Sequence, residues 1–570
     1  MIDDRYADAF GNPVTVSDAT MAAMRAALGD DDGATAPVRV VRADRLAQPR
    51  EIGYYGDLIV VPERAYVPAA LDRERAWAIG IQLYSLRSAS NDGIGDFGDL
   101  SRFATFAGGA GAAAIALNPL HQSHLTNPAA ASPYAPLSRR FLNALYIDVH
   151  GAAREFGVSI GDLDNRALRE ATLVDYTGVA SLKLEILERC FAACAQRRPW
   201  DEFAAGDSGV NDVARYEAIM EMLTDLDPDV YGWQQWPREL QDARGPAVER
   251  FAAQHAHRVD FYVFLQWLAD RQLEAAARAA SEMPLGLYRD LAVGVDLNSA
   301  DVWSDPGAYV LGLSVGAPPD PLNTSGQNWG LPPFHPRVLR ERAYEPFVTL
   351  LRANMRHAGA LRIDHVMGLQ RLFCIPRAYP EGGGAYVRYD FEAMLGIVAL
   401  ESVINRCMIV GEDLGTVPEG FRERTAQSRI FGCSVLQFNL YDDRTDVVAT
   451  TGTHDLPTFA GWWGTVDGAA RERFFHAIRS AGIDVPEDGL TALLVAAYRY
   501  LARSRARLVL LQLEDGVGSF DQVNVPGTVD EEPNWQRKIV VPIEALGKDP
   551  IFNAILGVLR EERPREGGAR

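Results

Sequence analysis

Three carboxylic acids stand at or shortly after short apolar runs. Asp364 ends the run ALRID (Ala360–Asp364), Glu412 follows IVG (Ile409–Gly411), and Asp455 closes TGTHD (Thr451–Asp455). Acids at the carboxyl ends of barrel strands converge, because the active face of a β/α-barrel is built there. Glycosyl transfer needs such a set: a retaining enzyme uses one ionised carboxylate as nucleophile and one protonated carboxyl as acid. Arg362 lies two residues before Asp364, so on a strand both side chains share a face. A guanidinium there keeps the carboxylate ionised. Glu412 needs the opposite tuning to carry a proton near neutrality. His454, beside Asp455, adds a donor for sugar hydroxyls. Each motif alone also has a plain structural reading, since strand-end Asp residues cap helices and Arg-x-Asp pairs form ion pairs. Asp413 is read in that way, as a capping or supporting group.

The surrounding pattern supplies elements to position these acids. From about Ala78, short apolar runs alternate with helical stretches. Ile79–Leu86, Ile115–Leu117, Leu291–Val295, Cys407–Val410, Ser434–Phe438 and Leu508–Leu511 read as buried strands, and Phe103–Ala114 as a helix. Repeated strand–loop–helix units over this length predict an α/β fold, a parallel sheet or a (β/α)8 barrel. The boundaries expected are a small N-terminal region over 1–75 and a catalytic barrel over 76–560. A mainly helical insertion covers about 148–283, where Leu184, Leu187 and Phe191 recur at helical spacing. Residues 561–570, charged and without an apolar face, are expected to be disordered. In the N-terminal region Val16–Leu28 reads as a helix, Gly29–Pro37 as a linker, and Val38–Val41 and Leu58–Val61 as small strands.

Composition excludes several classes. The 570-residue chain carries 56 Lys plus Arg against 76 Asp plus Glu, a net charge of -20. Such a chain repels phosphate backbones and anionic lipid, so neither nucleic acid nor a membrane surface is an expected partner. No apolar run is long enough to span a bilayer. The N-terminus lacks the basic-then-apolar order of a secretory signal, which predicts a cytoplasmic protein. Five cysteines without ligand spacing predict neither a disulfide framework nor a metal site. There is no HExxH, and no GxSxG nucleophile elbow. Trp462 and Trp463, after the third acid, are read as packing residues, and the triple glycine Gly382–Gly384 lacks the context of a phosphate loop.

Taken together the segments resemble the 4-alpha-glucanotransferases known as amylomaltases or disproportionating enzymes, relatives of the alpha-amylases. The resemblance runs in order through LYSLRSASNDGIGDFGDL (Leu83–Leu100), LNPLH (Leu117–His121), SPYAPLSRRFLNALYIDV (Ser132–Val149) and SADVW (Ser299–Trp303). It continues through GQNWGLPP (Gly326–Pro333), LRIDHVMGL (Leu361–Leu369), GEDLGTVP (Gly411–Pro418), TGTHDLPTF (Thr451–Phe459) and QVNVPGTVDEEPNWQRK (Gln522–Lys538). It implies a (β/α)8 barrel with helical subdomains in its loops. It also implies Asp364 as nucleophile, Glu412 as general acid/base and Asp455 as the transition-state-stabilising aspartate, with Arg362 and His454 supporting them. Asp290 would bind the glucose at the cleavage point, Tyr134 would stack under a sugar ring, and Gln327 and Trp329 would contact the glucan chain. The substrates implied are malto-oligosaccharides or other alpha-1,4-glucans, with no cofactor and no metal. The competing readings are an alpha-1,4-glucan hydrolase using the same acids and a non-catalytic glucan-binding barrel. Two segments depart from the family pattern. Asp320–Asn323 lacks an acceptor-loop aromatic, and Leu125–Ala131 lacks the tyrosine of a second glucan site.

Overall fold

The computed structural model describes all residues except 9, 30–37, 46–49, 162–164, 208, 321–323, 487–488, 530 and 566–570. The expected linker over Gly29–Pro37, beyond its first residue, and most of the departure at Asp320–Asn323 lie outside the described residues.

Eight short strands form the centre: β1 (Ala76–Ile81), β2 (Ala114–Leu117), β3 (Gly286–Leu291), β4 (Ala360–Ile363), β5 (Met408–Gly411), β6 (Gly432–Val435), β7 (Val447–Thr450) and β8 (Leu508–Gln512). Neighbours pair in parallel from β1 to β5, and β8 returns to β1 with β7 and β6 beyond it. The ring closes between β5 and β6. There Phe431 N–H donates to the Ile409 carbonyl (3.0 Å) and Gly411 N–H to the Phe431 carbonyl (2.7 Å). Closure removes the free edges. Both strand faces are buried, so the strands read as continuous apolar runs rather than alternations. Ala78, Ala114, Tyr288, Ala360, Val410, Val448 and Leu508 pack together inside the ring, and the alternate residues pack outward against helices.

This inside register places the chemistry. Side chains alternate along a strand. Ala360 points inward, so Arg362 and Asp364 continue the same face to the barrel mouth. Met408 and Val410 lead in the same way to Glu412, and Tyr288 leads to Asp290. The sequence reading placed Asp290 before a strand over Leu291–Val295. The strand instead spans Gly286–Leu291 and contains Asp290. The charges of Arg289 and Asp290 are unusual in a buried strand and are tolerated because both have partners. Both are buried, and Arg289 donates Nη1 to the carbonyl of Ala353 at 3.0 Å.

Long excursions leave the ring after β2 and β3. After β2 an antiparallel hairpin (His121–Gln122 with Ser138–Leu142) is followed, among the described residues, by helices from Val149 to Ala279, of which Ala256–Ala279 is the longest. After β3 and β4 lies a four-stranded antiparallel sheet that includes Gln327–Leu331 and Leu313–Ala317. The N-terminal helix Asp18–Leu28 is capped by Ser17, whose Oγ accepts from Thr20 N–H at 3.1 Å. Its Met21, Met24 and Leu28 pack on Leu313, Val315 and Cys374 of that sheet. The expected disorder of 561–570 does not hold through Arg565. Glu561 and Glu562 end the helix Pro550–Glu562, and Arg563 is buried, donating to the carbonyls of Ala502 (2.8 Å), Ala506 (2.8 Å) and Ala76 (3.0 Å). A long arginine stem covers apolar surface while its head satisfies carbonyls, so charge alone misread this segment. Residues 566–570 lie outside the described residues. All five cysteines are free, and no helix among the described residues is long and apolar enough to cross a membrane.

Candidate active site at the barrel mouth

Arg362 is the electrostatic hub. Its Nη1 donates to both Asp290 oxygens (2.8 and 2.9 Å), and its Nη2 lies 2.8 Å from Asp364 Oδ1. A guanidinium fork suits two carboxylates better than any ammonium. Asp290 gains a further bond from Tyr134 Oη at 2.7 Å. Burial pushes the Asp290 carboxyl up, opposed by Arg362 and reinforced by Asp364.

Glu412 stands at the end of the strand beside that of Asp364, since Ile363 pairs with Gly411. Its Oε2 accepts from His365 N–H (3.0 Å) and its Oε1 from Leu414 N–H (2.7 Å). Burial and the charge of Asp364 push Glu412 up to about 7, against Arg362 and the two amides. A carboxyl so tuned carries a proton near neutrality and can return it, as a general acid/base requires. Protonated Glu412 is the form that can donate. The alkaline limb of kcat/KM should therefore fall through about pH 7, and Glu412→Gln should remove that limb. Steady-state rates between pH 5 and 9 check this; an unaltered limb in the variant would assign it to another group.

Asp455 lies in the loop after β7. Asp515 pins that loop from the end of β8 by accepting from Thr451 Oγ1 (2.6 Å) and Phe459 N–H (2.8 Å). Asp455 accepts from Asn524 Nδ2 at 2.6 Å and stands 3.4 Å from His454 Nε2. Burial disfavours its charge, but His454 and Asn524 more than offset this and hold the carboxyl below the usual range. For His454, burial works against the proton and Asp455 overrides it, so the imidazole is raised. Tyr134 lies against His454 at 4.8 Å between ring centroids, and Trp535 closes the group at 5.4 Å from Tyr134.

Trp329 donates Nε1 to Gln327 Oε1 at 3.0 Å, and its ring meets His365 edge-on at 5.6 Å. His365 itself has φ +47°, a sharp turn immediately after Asp364. The structure thus brings all nine candidate residues to one mouth: Asp364, Glu412, Asp455, Arg362, Asp290, Tyr134, His454, Gln327 and Trp329. Asp413 does not join them. It is buried and ties β5 to β6, accepting from Cys433 N–H (2.7 Å), Arg422 Nε (2.7 Å) and Arg444 Nη1 (3.0 Å). Asp413→Ala should cost about 1–2 kcal/mol of stability, because it leaves the Cys433 N–H without its acceptor while the partly exposed Arg422 and Arg444 turn to solvent. Chemical denaturation checks this, and an unchanged midpoint would contradict it. Trp462 and Trp463 pack with Phe459 and Phe474.

Asn524, Trp535 and His365 were not singled out from the sequence. The first two sit in a loop without helical or strand periodicity, and only the segment containing them pointed there. Among the described residues no group of three or more His, Cys, Asp or Glu could hold a metal ion.

A mouth lined by an arginine-held carboxylate, a protonatable carboxyl, a third acid and several aromatic faces can bind a neutral polyol and exchange a glycosidic bond. Known proteins agree. The family model described as 4-alpha-glucanotransferase matches residues 81–542. The chain is 34% identical to the 4-alpha-glucanotransferase of Haemophilus influenzae over 558 residues, covering 85% of this chain and 78% of that protein. It is 35% identical to the 4-alpha-glucanotransferase of Mycobacterium bovis over 546 residues, covering 85% and 74%. The solved amylomaltase of Corynebacterium glutamicum superposes with a TM-score of 0.83 at 27% identity, covering 98% of both chains. With a family model spanning most of its length and relatives above 30% identity, this chain belongs to the 4-alpha-glucanotransferase family.

Proposed function

We propose that the protein moves segments of alpha-1,4-glucan from a donor to an acceptor malto-oligosaccharide or glucose by a retaining double displacement. Asp364 attacks the anomeric carbon of the donor. The glycosidic bond to the leaving O4 breaks as Glu412 gives that oxygen its proton, leaving an ester between Asp364 and the glucan. Glu412, now a carboxylate, takes the proton from the 4-hydroxyl of the incoming sugar. That oxygen attacks the same carbon and frees Asp364. Two inversions at one carbon retain its configuration.

The observation that carries this reading is a pair of acids on paired strand ends, one held by a guanidinium and the other pushed up by burial. Arg362 contacts Asp364, while Glu412 is pushed up to about 7. Paired strands run about 4.8 Å apart, which suits the carboxyl spacing of about 5–5.5 Å in retaining pairs rather than the wider inverting spacing. Tyr134 offers a ring face to a sugar, Asp290 and His454 bind its hydroxyls, and ionised Asp455 stabilises the positive charge that develops in the transition state. Gln327 and Trp329 contact the neighbouring glucan residues.

Maltotriose tests the reading. Transfer yields free glucose and a ladder of longer oligomers at constant reducing ends. A net gain of reducing ends would mean hydrolysis, and an unchanged substrate would leave a glucan-binding protein.

A further inference from the structure

Away from the acids, the loops after β2 and β3 meet a turn of the helical region around Tyr231. The Tyr231 ring stacks on His124 at 6.0 Å between centroids and 23° between planes. His124 is 4% exposed, whereas Tyr231 is 41% exposed. One ring face is thus backed by a buried imidazole and the other is open to solvent. Tyr231 Oη reaches Asp296 Oδ2 at 3.5 Å. His124 Nε2 and Ser123 Oγ are buried without hydrogen-bond partners.

The ring is held in place. Tyr231 N–H and Gly232 N–H donate to Gln235 Oε1 (2.6 and 3.3 Å), and Trp233 Nε1 donates to the carbonyl of Leu297 at 3.2 Å. Only glycine fits at 232, where a Cβ would meet the Asn298 side chain at 2.3 Å. Asp296 is fixed through its N–H to the carbonyl of Pro136 (3.1 Å), in the segment that carries Tyr134, and accepts from Asn298 N–H at 2.6 Å. Arg377, which feels the charge of Asp296, donates to the carbonyl of Gly330 (2.6 Å), next to Trp329. The same loop cluster therefore joins Tyr231 to both the Tyr134 and the Trp329 sides of the mouth.

A rigid aromatic face beside a carboxylate matches a pyranose: the ring covers the apolar C–H face, and the acid accepts its hydroxyls. We propose that Tyr231, backed by His124 and flanked by Asp296, is a sugar-binding platform that holds an alpha-glucan chain several units beyond the reacting residues. This rests on the glucan-transfer reading above. It makes Tyr231 a determinant of chain-length preference and no part of the chemistry.

Steady-state kinetics with maltotriose and maltoheptaose separate the two claims. Tyr231→Ala should raise KM for maltoheptaose roughly fivefold, the loss of one stacking contact, with kcat unchanged. On this placement maltotriose does not span both places and should keep its KM within about twofold. Tyr231→Phe keeps the ring and should remain within about twofold for both sugars. An unchanged maltoheptaose KM in Tyr231→Ala would overturn the platform, as would equal losses on both substrates. A wild-type protein that converts neither sugar would instead overturn the transfer reading itself.

Discussion

Asp364→Asn should abolish transfer from maltotriose, lowering kcat by at least about 10⁴-fold, as loss of a covalent nucleophile does. The amide has the shape of the carboxylate but cannot form the glycosyl ester. Structure should survive, because Arg362 keeps its two bonds to Asp290 and only the 2.8 Å contact to residue 364 weakens. Glucose release from maltotriose measures the loss, with thermal unfolding as the control for folding. Ordinary activity in a folded variant would refute the nucleophile assignment.

Glu412→Gln should lower kcat on maltotriose by about 10²–10⁴-fold, the usual contribution of general acid–base catalysis. This effect depends on the leaving group. A maltosyl fluoride departs as fluoride and needs no proton, so the first step should persist while the second, which needs the base, stalls. The variant should accumulate glycosyl-enzyme with the fluoride and be nearly inert with maltotriose. An equally slowed first step on both donors, with no burst of fluoride from maltosyl fluoride, would show that Glu412 supports the fold of the mouth rather than moving a proton.

The parts of this site legible in the sequence are those governed by local periodicity. Asp364 and Glu412 follow apolar runs that are buried on both faces, so their places at strand ends could be read directly, as could Arg362 on the face of Asp364. Asp455 was legible only as a member of THD, since its loop is held by Asp515 from another strand. The β3 strand was misplaced, and it holds the charges of Arg289 and Asp290, which are unusual in a buried strand and tolerated through their partners. Arg563, charged and buried, misled at the other end of the chain. Trp535 and Asn524 reach Tyr134 and Asp455 from a segment more than 50 residues later in sequence than either acid-bearing strand β4 or β5. Contacts of that range follow from ring closure, which pairs β8 with β1, and no short window of residues contains them.

The central claim is that a glucan is carried on Asp364. Mass spectrometry of the Glu412→Gln protein after brief reaction with maltosyl fluoride tests it most directly. The predicted result is one maltosyl unit added per chain, located after proteolysis on the peptide containing Asp364. Label on Asp455 or Asp290, or an unlabelled protein releasing product of inverted anomeric configuration, would contradict the account.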